Sequence, residues 1–491
     1  VYHSLIPVGA ENFWLGRYER WNVDWHFSQS GCLESRLKVP LKPTTSSQRP
    51  SDDTMLDQIQ QESFPYFLEE SNPENGLIRD KNKKEWPASI TANGLALACY
   101  PIGVERGCLT RDEAIKRTLA TLRFFAGSRQ GTDADATGYR GFYYHFLDMQ
   151  TGRRAWKSEL STIDSAFLLA GMLTAGAYFD RETPDEREIR DLADSLYRRA
   201  DWEWAQDRGL TISQGWKPET GFLKSRWQGY SEALLMYVLG LGSPTHPLAS
   251  ESYPAWCATY KWKKIYDFEF LYGGPLFIHQ YSHLWLDLRG IQDEFMREKG
   301  IDYFENSRRA TFVQQRYAIR NPRRFAHYNE HCWGITASDG PGPASARVGG
   351  IKRKFFDYAA RGVPFGPDDG TIAPWAVVAS LPFAPEIVLP TIRHLNELRL
   401  TEGNPYSFRA TFNPTYPQKG GKPYGWVTRW HFALNQGPTV MMIENYRTNF
   451  LWRLTQRCPY IVSGLRRAGF NKGWLSQLDD LAPAELASPR L

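Results

Sequence analysis

Two acidic residues stand at the mouths of apolar stretches. In Gly229-Tyr230-Ser231-Glu232-Ala233-Leu234-Leu235-Met236-Tyr237 a carboxyl falls in the first turn of a predicted apolar helix, straight after Arg226-Trp227-Gln228. Ser161-Thr162-Ile163-Asp164-Ser165-Ala166-Phe167-Leu168 repeats the arrangement with Asp164. Cleaving a glycosidic bond needs one carboxyl to protonate the leaving oxygen and one carboxylate to activate water or attack the anomeric carbon. Asp and Glu combine tunable acidity with small bulk, so paired acids are the residue types such chemistry uses. Glu232 is the favoured acid, because burial beside Trp227 and Tyr230 would raise its pKa, although a helix N-terminus opposes that rise. Each acid also has a plainer role: a first-turn Glu stabilises a helix dipole, and Ser161-x-x-Asp164 is nearly a capping box. The matched pair, not either acid alone, points to catalysis.

Other acids compete for the second role. Glu159 lies five residues before Asp164 and could point inward from the preceding loop. Asp368 and Asp369 precede Gly370-Thr371 at another predicted helix start, and Asp339 sits in Thr336-Ala337-Ser338-Asp339-Gly340-Pro341, where an Asx turn would also explain it. Glu444, beside Asn445, Tyr446 and Arg447, could touch substrate or serve a buried ion pair. Arg226, Trp227, Tyr230, Trp333, Asp339, Asp369, Trp375, Glu444 and Tyr446 form the expected substrate-contacting set.

Two patterns imitate metal sites. His279-Gln280-Tyr281-Ser282-His283 spaces two histidines for one helical face, but Gln280 stands where a zinc peptidase needs its Glu. His327-Tyr328-Asn329-Glu330-His331 matches the inverted zinc motif, which needs a helix. Pro322 upstream and Cys332-Trp333-Gly334 downstream leave room for a short helix at most, so a zinc peptidase built on His327, Glu330 and His331 is the weaker alternative and no metal is assigned. A non-catalytic glycan-binding protein is the other alternative. No Walker A loop, dinucleotide fingerprint or nucleophile elbow is present, and no cofactor is expected.

Composition fits this reading. Hydrophobic residues at 42% and charged residues at 23% describe a globular chain, whereas 14% aromatics, with 18 Trp and 25 Tyr, exceed what a core needs and suit stacking on sugar rings. A net charge of +5 over 491 residues, with no basic tail, argues against a nucleic-acid partner. No run approaches the ~18 apolar residues of a membrane span. Residues 1–50 show no basic segment leading into an apolar one, so no signal peptide is visible, though one could have been removed. The six cysteines are scattered; Cys99 and Cys108 could pair around a turn, but buried free thiols are the expectation.

The elements that must position the acids follow from periodicity. Residues 1–50 end in Lys42-Pro43-Thr44-Thr45-Ser46-Ser47-Gln48-Arg49-Pro50 and read as a loosely attached leader; 51–491 read as one domain. Amphipathic helices are predicted over 52–70, 110–125, 183–205, 254–260, 302–319 and 384–398. They alternate with apolar ones over 90–100, 161–178, 230–240, 275–288, 374–380 and 438–454. Helices apolar all round are buried and amphipathic ones cover them, which predicts an all-α (α/α)6 toroid of six inner and six outer helices. Small β-hairpins are expected as insertions, one over 138–148 with Gln150-Thr151-Gly152 at its turn. Parallel inner helices would bring the helix starts to one rim, walled by loops 331–370 and 400–436.

Several runs resemble the bacterial glucoamylase-like family that contains the β-1,2-glucanases, glycoside hydrolase family 144. They are Glu159-Leu160-Ser161-Thr162-Ile163-Asp164, Gly229-Tyr230-Ser231-Glu232-Ala233, Gly242-Ser243-Pro244-Thr245-His246-Pro247, Trp333-Gly334-Ile335-Thr336-Ala337-Ser338-Asp339-Gly340-Pro341 and Ile443-Glu444-Asn445-Tyr446-Arg447. The resemblance implies an (α/α)6 barrel and metal-free, anomer-inverting hydrolysis of β-1,2-glucan to short sophoro-oligosaccharides. It also implies export to the periplasm or beyond; the chain is expected to act as a monomer. Carried over, Glu232 resembles the acid, Asp164 an essential acid near the cleaved bond, and Glu159 a candidate for the remaining one.

Overall fold

The structure, a computed structural model, describes residues 51–418 and 424–478. The expected leader over 1–50 and Cys32 lie outside the described residues.

Capping chemistry fixes where the outer helices begin. Asp52–Ser63 starts under Ser51, whose side chain accepts the Thr54 N–H, and Pro65 separates it from the single turn Tyr66–Glu69. Arg111–Gly127 is capped by Thr110, and Pro184–Arg198 by Thr183 with Pro at its first position. Tyr303–Arg320 runs from the Asp302 cap to a left-handed Asn321. With Ser252–Cys257 and Pro385–Glu397, these helices cover an inner layer.

Among the described residues that inner layer has six members. They are Ile90–Glu105, Thr162–Tyr178, Leu234–Gly242, the 3-10 turns Leu276–His279 and Ser282–Leu284, Pro374–Val378, and Ala433–Thr448. Thr162–Tyr178 packs against both Ile90–Glu105 and Leu234–Gly242, and Ala433–Thr448 packs against Pro374–Val378 and Ile90–Glu105. Side chains of the 3-10 segment close the ring: Ser282 Oγ donates to the Glu232 carbonyl (3.0 Å) and Gln280 Nε2 to the Ala376 carbonyl (2.6 Å). The fold is the (α/α)6 toroid. Each fully buried Leu or Ile of the hub contributes roughly 1.5–3 kcal/mol.

The two longest apolar helices meet at Gly94 and Gly171. A Cβ on Gly94 would lie 2.3 Å from the Phe167 carbonyl oxygen, and one on Gly171 2.1 Å from that of Gly94. Any side chain there would force the backbones apart, and with them Thr91 and Asp164 at the helix starts.

A five-stranded sheet runs Gly138–Tyr139, Phe142–Tyr144, Leu160–Ser161, Gly215–Lys217 and Gly221–Phe222, each strand antiparallel to the next. Its central pairing, Tyr143 with Ser161 and Ser161 with Gly215, pins the residue that caps the Asp164 helix.

Several expected boundaries change. The hairpin in 138–148 turns at Arg140-Gly141, both with positive φ. Gln150-Thr151-Gly152 instead forms a separate turn, held by Asp148 Oδ1 accepting the Gln150 and Thr151 N–H groups. The expected helix over 275–288 is a pair of 3-10 turns, because Gln280, Tyr281 and Ser282 are each drawn to a different neighbouring segment. Pro438 lies inside Ala433–Thr448 and does not start it. Pro459–Arg467 and Gly473–Gln477 follow where no further helix was expected.

Candidate active site

The starts of all six inner segments open into one cleft. Thr91, Ile163, Asp164, Phe167, Glu232, Phe277, Tyr281, Trp375, Phe432, Leu434 and Asn435 line it, with Ala337, Ser338, Asp339 and Tyr358 from the 331–370 loop. These side chains enclose about 610 Å³ of space, part of it open to solvent. The geometry thus brings Asp164 and Glu232 to one hollow, with aromatic rings around them.

Asp164 is held by its own helix start and by the next helix. Ser161 Oγ accepts the Asp164 N–H and donates to Oδ2 (2.5 Å), while Thr91 Oγ1 donates to Oδ1 (2.5 Å). Behind it lies His145, whose Nε2 is 3.8 Å from Asp164 Oδ2 and whose Nδ1 is 2.9 Å from Glu159 Oε1. Burial alone would lower the His145 pKa, but the charges of Asp164, Glu159 and Asp80 outweigh it and raise it to about 9. Burial likewise pushes the Glu159 carboxyl up, and the hydrogen bond and charge of His145 reverse that and hold it below its ordinary value. Glu159 is not among the residues that line the cleft, and His145 links it to Asp164.

Glu232 sits in a different setting. The chain turns at Gly229, whose φ is 77°, and the helix begins only at Leu234, so Glu232 precedes the first helical turn where it was expected to lie within it. Its side chain is 7% exposed. Burial raises its pKa to about 7, the negative charge of Asp164 adds to the rise, and a hydrogen bond from its own backbone N–H opposes it. A carboxyl that keeps its proton to about pH 7 suits a proton donor.

Of the expected substrate contacts, Asp339 and Trp375 line the cleft. Asp339 Oδ2 lies 3.5 Å from Lys81 Nζ and accepts from Thr428 Oγ1 (3.2 Å). The others belong to the framework. Arg226 spends its guanidinium on Thr211 and the Gln206 carbonyl. Trp227 donates from Nε1 to Thr162 Oγ1 (3.1 Å), and Tyr230 stacks on Tyr303 with ring centres 5.9 Å apart. Trp333 is fully buried and donates to Thr391 Oγ1, facing the outer layer. Asp369 forms a two-point ion pair with Arg361, at 2.8 and 2.9 Å, and both side chains are sealed from solvent. Asp368 accepts from the Tyr317 and Tyr328 hydroxyls. Glu444 is ten residues along its helix from Leu434, about 15 Å at 1.5 Å per residue. There it pairs with Arg106 (2.7 and 3.0 Å) and Gln60. Tyr446 is beyond it at the same far end, on the surface.

The metal-like patterns dissolve as well. His327 has φ 64° and Asn329 bridges to Cys332, so the helix demanded by the inverted zinc motif does not form. His279 Nε2 is 3.1 Å from the Gly273 carbonyl and His283 Nε2 is 3.0 Å from Ser307 Oγ. Burial lowers their pKa values to about 4 and about 3, as for neutral core histidines. The five described cysteines are unpaired, Cys99 and Cys108 included.

Sequence reasoning passed over His145, Thr91 and Lys81. The only signal for His145 was one ionisable residue amid Phe142-Tyr143-Tyr144-His145-Phe146. Lys81 needed the fold to show it, since it meets Asp339 from 258 residues away.

A family model described as "Putative glucoamylase" matches residues 224–459, which include Glu232 and most of the cleft. The chain is 28% identical, over 94% of its length, to an exo-β-1,2-glucooligosaccharide sophorohydrolase (non-reducing end) of Parabacteroides distasonis, and spans 65% of that protein's length. An endo-β-1,2-glucanase from Chitinophaga pinensis, solved with sophorotriose and glucose, superposes with a TM-score of 0.75 at 25% identity, over 86% of this chain and 99% of that one. A crystal structure from Bacteroides uniformis, also described as a putative glucoamylase, superposes with a TM-score of 0.77 at 31% identity, over 87% of this chain and all of that one. With that identity across a whole solved relative and the same ring of helices beneath the cleft, the chain belongs to the bacterial glucoamylase-like family that contains the β-1,2-glucanases.

Proposed function

We propose that the protein is a glycoside hydrolase that cleaves β-1,2-glucan to short sophoro-oligosaccharides with inversion at the anomeric carbon. The observation that carries this is the convergence of Glu232 and Asp164 on one aromatic-walled cleft, with Glu232 holding its proton to about pH 7. Glu232 gives that proton to the glycosidic oxygen as the bond to the anomeric carbon breaks. Asp164 takes a proton from water as its oxygen bonds to the opposite face of that carbon. Ser161 and Thr91 hold the Asp164 carboxyl in place, while Glu159 and His145 support it from behind. Lys81 and Asp339 offer polar contacts to sugar hydroxyls, and Phe277, Tyr281, Trp375 and Phe432 offer ring faces. The relatives named for β-1,2-glucan hydrolysis support this substrate. On this reading the protein works as a monomer and meets polymeric glucan in the periplasm or outside the cell.

The test is product analysis. Linear β-1,2-glucan incubated with the protein releases short sophoro-oligosaccharides, seen by thin-layer chromatography, and full activity persists in chelator. If linear and cyclic β-1,2-glucans both survive excess protein, the substrate is wrong. If calorimetry shows binding without new reducing ends, the protein is a glycan binder.

A further inference from the structure

Trp156 holds its indole open to water, 54% exposed, yet its place is fixed on several sides. With Lys157 it forms the centre of a turn closed by the Ser158 N–H donating to the Ala155 carbonyl (3.0 Å). Both central residues carry positive φ, 53° and 51°, a conformation that Gly, Asn and Asp adopt most readily. Arg154 clamps the turn, donating from Nε to the Ser158 carbonyl (2.6 Å) and from Nη2 to the Lys157 carbonyl (2.8 Å). The indole itself rests edge-on against Trp86, ring centres 4.7 Å apart, and tilted against Phe146 at 5.1 Å. Glu85, next to Trp86, is a third non-glycine residue with positive φ (63°). Strained backbone that presents a braced, exposed aromatic ring does nothing for the core. It is what a stacking surface requires.

A chain of side-chain contacts, buried at His145 and Lys81, links this surface to the cleft. Phe146 stacks on His145 (4.0 Å), which reaches Asp164. Lys81 Nζ lies 5.0 Å from the Trp86 ring, 4.8 Å from that of the cleft residue Phe432 and 3.5 Å from Asp339. Contacts from Trp156 through Trp86 and the buried Lys81 to Phe432 thus connect the open surface with the wall of the cleft that holds the candidate catalytic acids. Lys83, with Nζ 4.7 Å from the Trp86 ring, adds a cation at the outer end.

We propose that Trp156, braced by Trp86 and Phe146, is a sugar-stacking subsite outside the cleft that holds a distant glucopyranosyl unit of a long glucan. A pyranose presents an apolar C–H face to the indole and hydroxyls to a neighbouring ammonium. This rests on the hydrolase reading above and adds a length dependence to it: only chains long enough to reach Trp156 gain from it.

The experiment compares kcat/KM across sophoro-oligosaccharides of increasing length and linear β-1,2-glucan for wild type, Trp156→Ala, Trp156→Phe and the exposed-surface control Leu210→Ala. Calorimetric affinity for the same sugars is measured in a Glu232→Gln background. Trp156→Ala loses about three- to ten-fold on long chains, through KM and affinity, with the loss shrinking as the chain shortens. Trp156→Phe restores most of it, and Leu210→Ala follows wild type. A loss that is the same at every length, or no loss at all, overturns the subsite while the hydrolase reading stands. If wild type neither binds nor cleaves β-1,2-glucan of any length, both fall together.

Discussion

The loop that carries Glu232 and the segment that carries Glu159, just ahead of the central strand Leu160–Ser161, reach the same end of the ring with opposite chemistry. On the loop, burial drives the Glu232 carboxyl up to a pKa of about 7, and the negative charge of Asp164 adds to the rise. Ahead of the central strand, a partly buried carboxyl has His145 at 2.9 Å, and its pKa falls below the ordinary value despite burial. Burial raises both; it prevails at Glu232, where no cation opposes it, and is overturned at Glu159 by His145. Between them stands Asp164, with two hydroxyl donors at 2.5 Å and the imidazole 3.8 Å behind. One fold thereby keeps a proton donor and a carboxylate pair side by side, the separation that acid–base cleavage needs.

Removing the donor breaks this contrast most severely. Glu232→Gln keeps the size and burial of the side chain but has no proton to give, and kcat on linear β-1,2-glucan falls by about 10²–10⁴-fold with an unchanged circular dichroism spectrum. In wild type, the same proton sets an alkaline limit: kcat/KM declines as pH rises through about 7. A basic limb that stays flat well above that pH would show that another group donates.

Removing His145 tests the other half. His145→Ala leaves the partly buried Glu159 without its cation, and urea denaturation should show a loss of about 1–3 kcal/mol near neutral pH. The sign follows from the shifts. The raised His145 pKa makes its contribution complete below its ordinary value of 6.5 and lost as pH rises through about 9. The lowered Glu159 pKa makes its contribution complete above 4.5 and lost as pH falls further. Glu232 works in reverse, costing stability increasingly from 4.5 up to about 7. The gap between wild type and His145→Ala is therefore widest between about pH 4.5 and 6.5 and closes toward pH 9 and above. A gap independent of pH would mean that packing against Phe146, not charge, is what His145 provides.

Asp369→Ala separates framework acids from cleft acids. It strands the sealed Arg361 guanidinium and costs about 3–5 kcal/mol in denaturation, while activity per folded molecule stays close to wild type. A collapse of kcat in protein that remains folded would return Asp369 to the substrate-contacting set.

The alternation of polar-faced and apolar helices made the ring legible, because burial all round leaves a direct mark on composition. Its short members were less so. Where the inner layer is made of 3-10 turns, the pattern over 275–288 read as a helix, and only the cross-ring bonds of Gln280 and Ser282 show why it is not. The acids at the helix starts were legible from position along the chain. The supporting side chains were not, since Lys81 and His145 depend on strands and loops that meet across the fold. Glu444 shows the converse error. It is one of a memorable run of polar residues, but helical rise carries it away from the cleft toward Arg106, and the sequence alone does not say which end of a helix faces the ligand.

The mildest disturbance probes the Asp164 side of the comparison alone. Thr91→Val keeps the branched shape at the start of Ile90–Glu105 but removes the hydroxyl that donates to Asp164 Oδ1. With Ser161 still donating to Oδ2 and Gly94 and Gly171 still holding the helices together, the carboxylate keeps its place. The stability cost is about 1 kcal/mol, the net worth of one hydrogen bond. If the whole of that ~1 kcal/mol is felt only in the transition state, kcat falls by about five-fold, since 1.4 kcal/mol is one decade. The limb of kcat/KM near pH 7 set by Glu232 stays where it was, because the burial that raises the Glu232 pKa is untouched. A shift of the alkaline limb instead would assign the proton-donating role to the Asp164 side and reverse the roles given to the two acids.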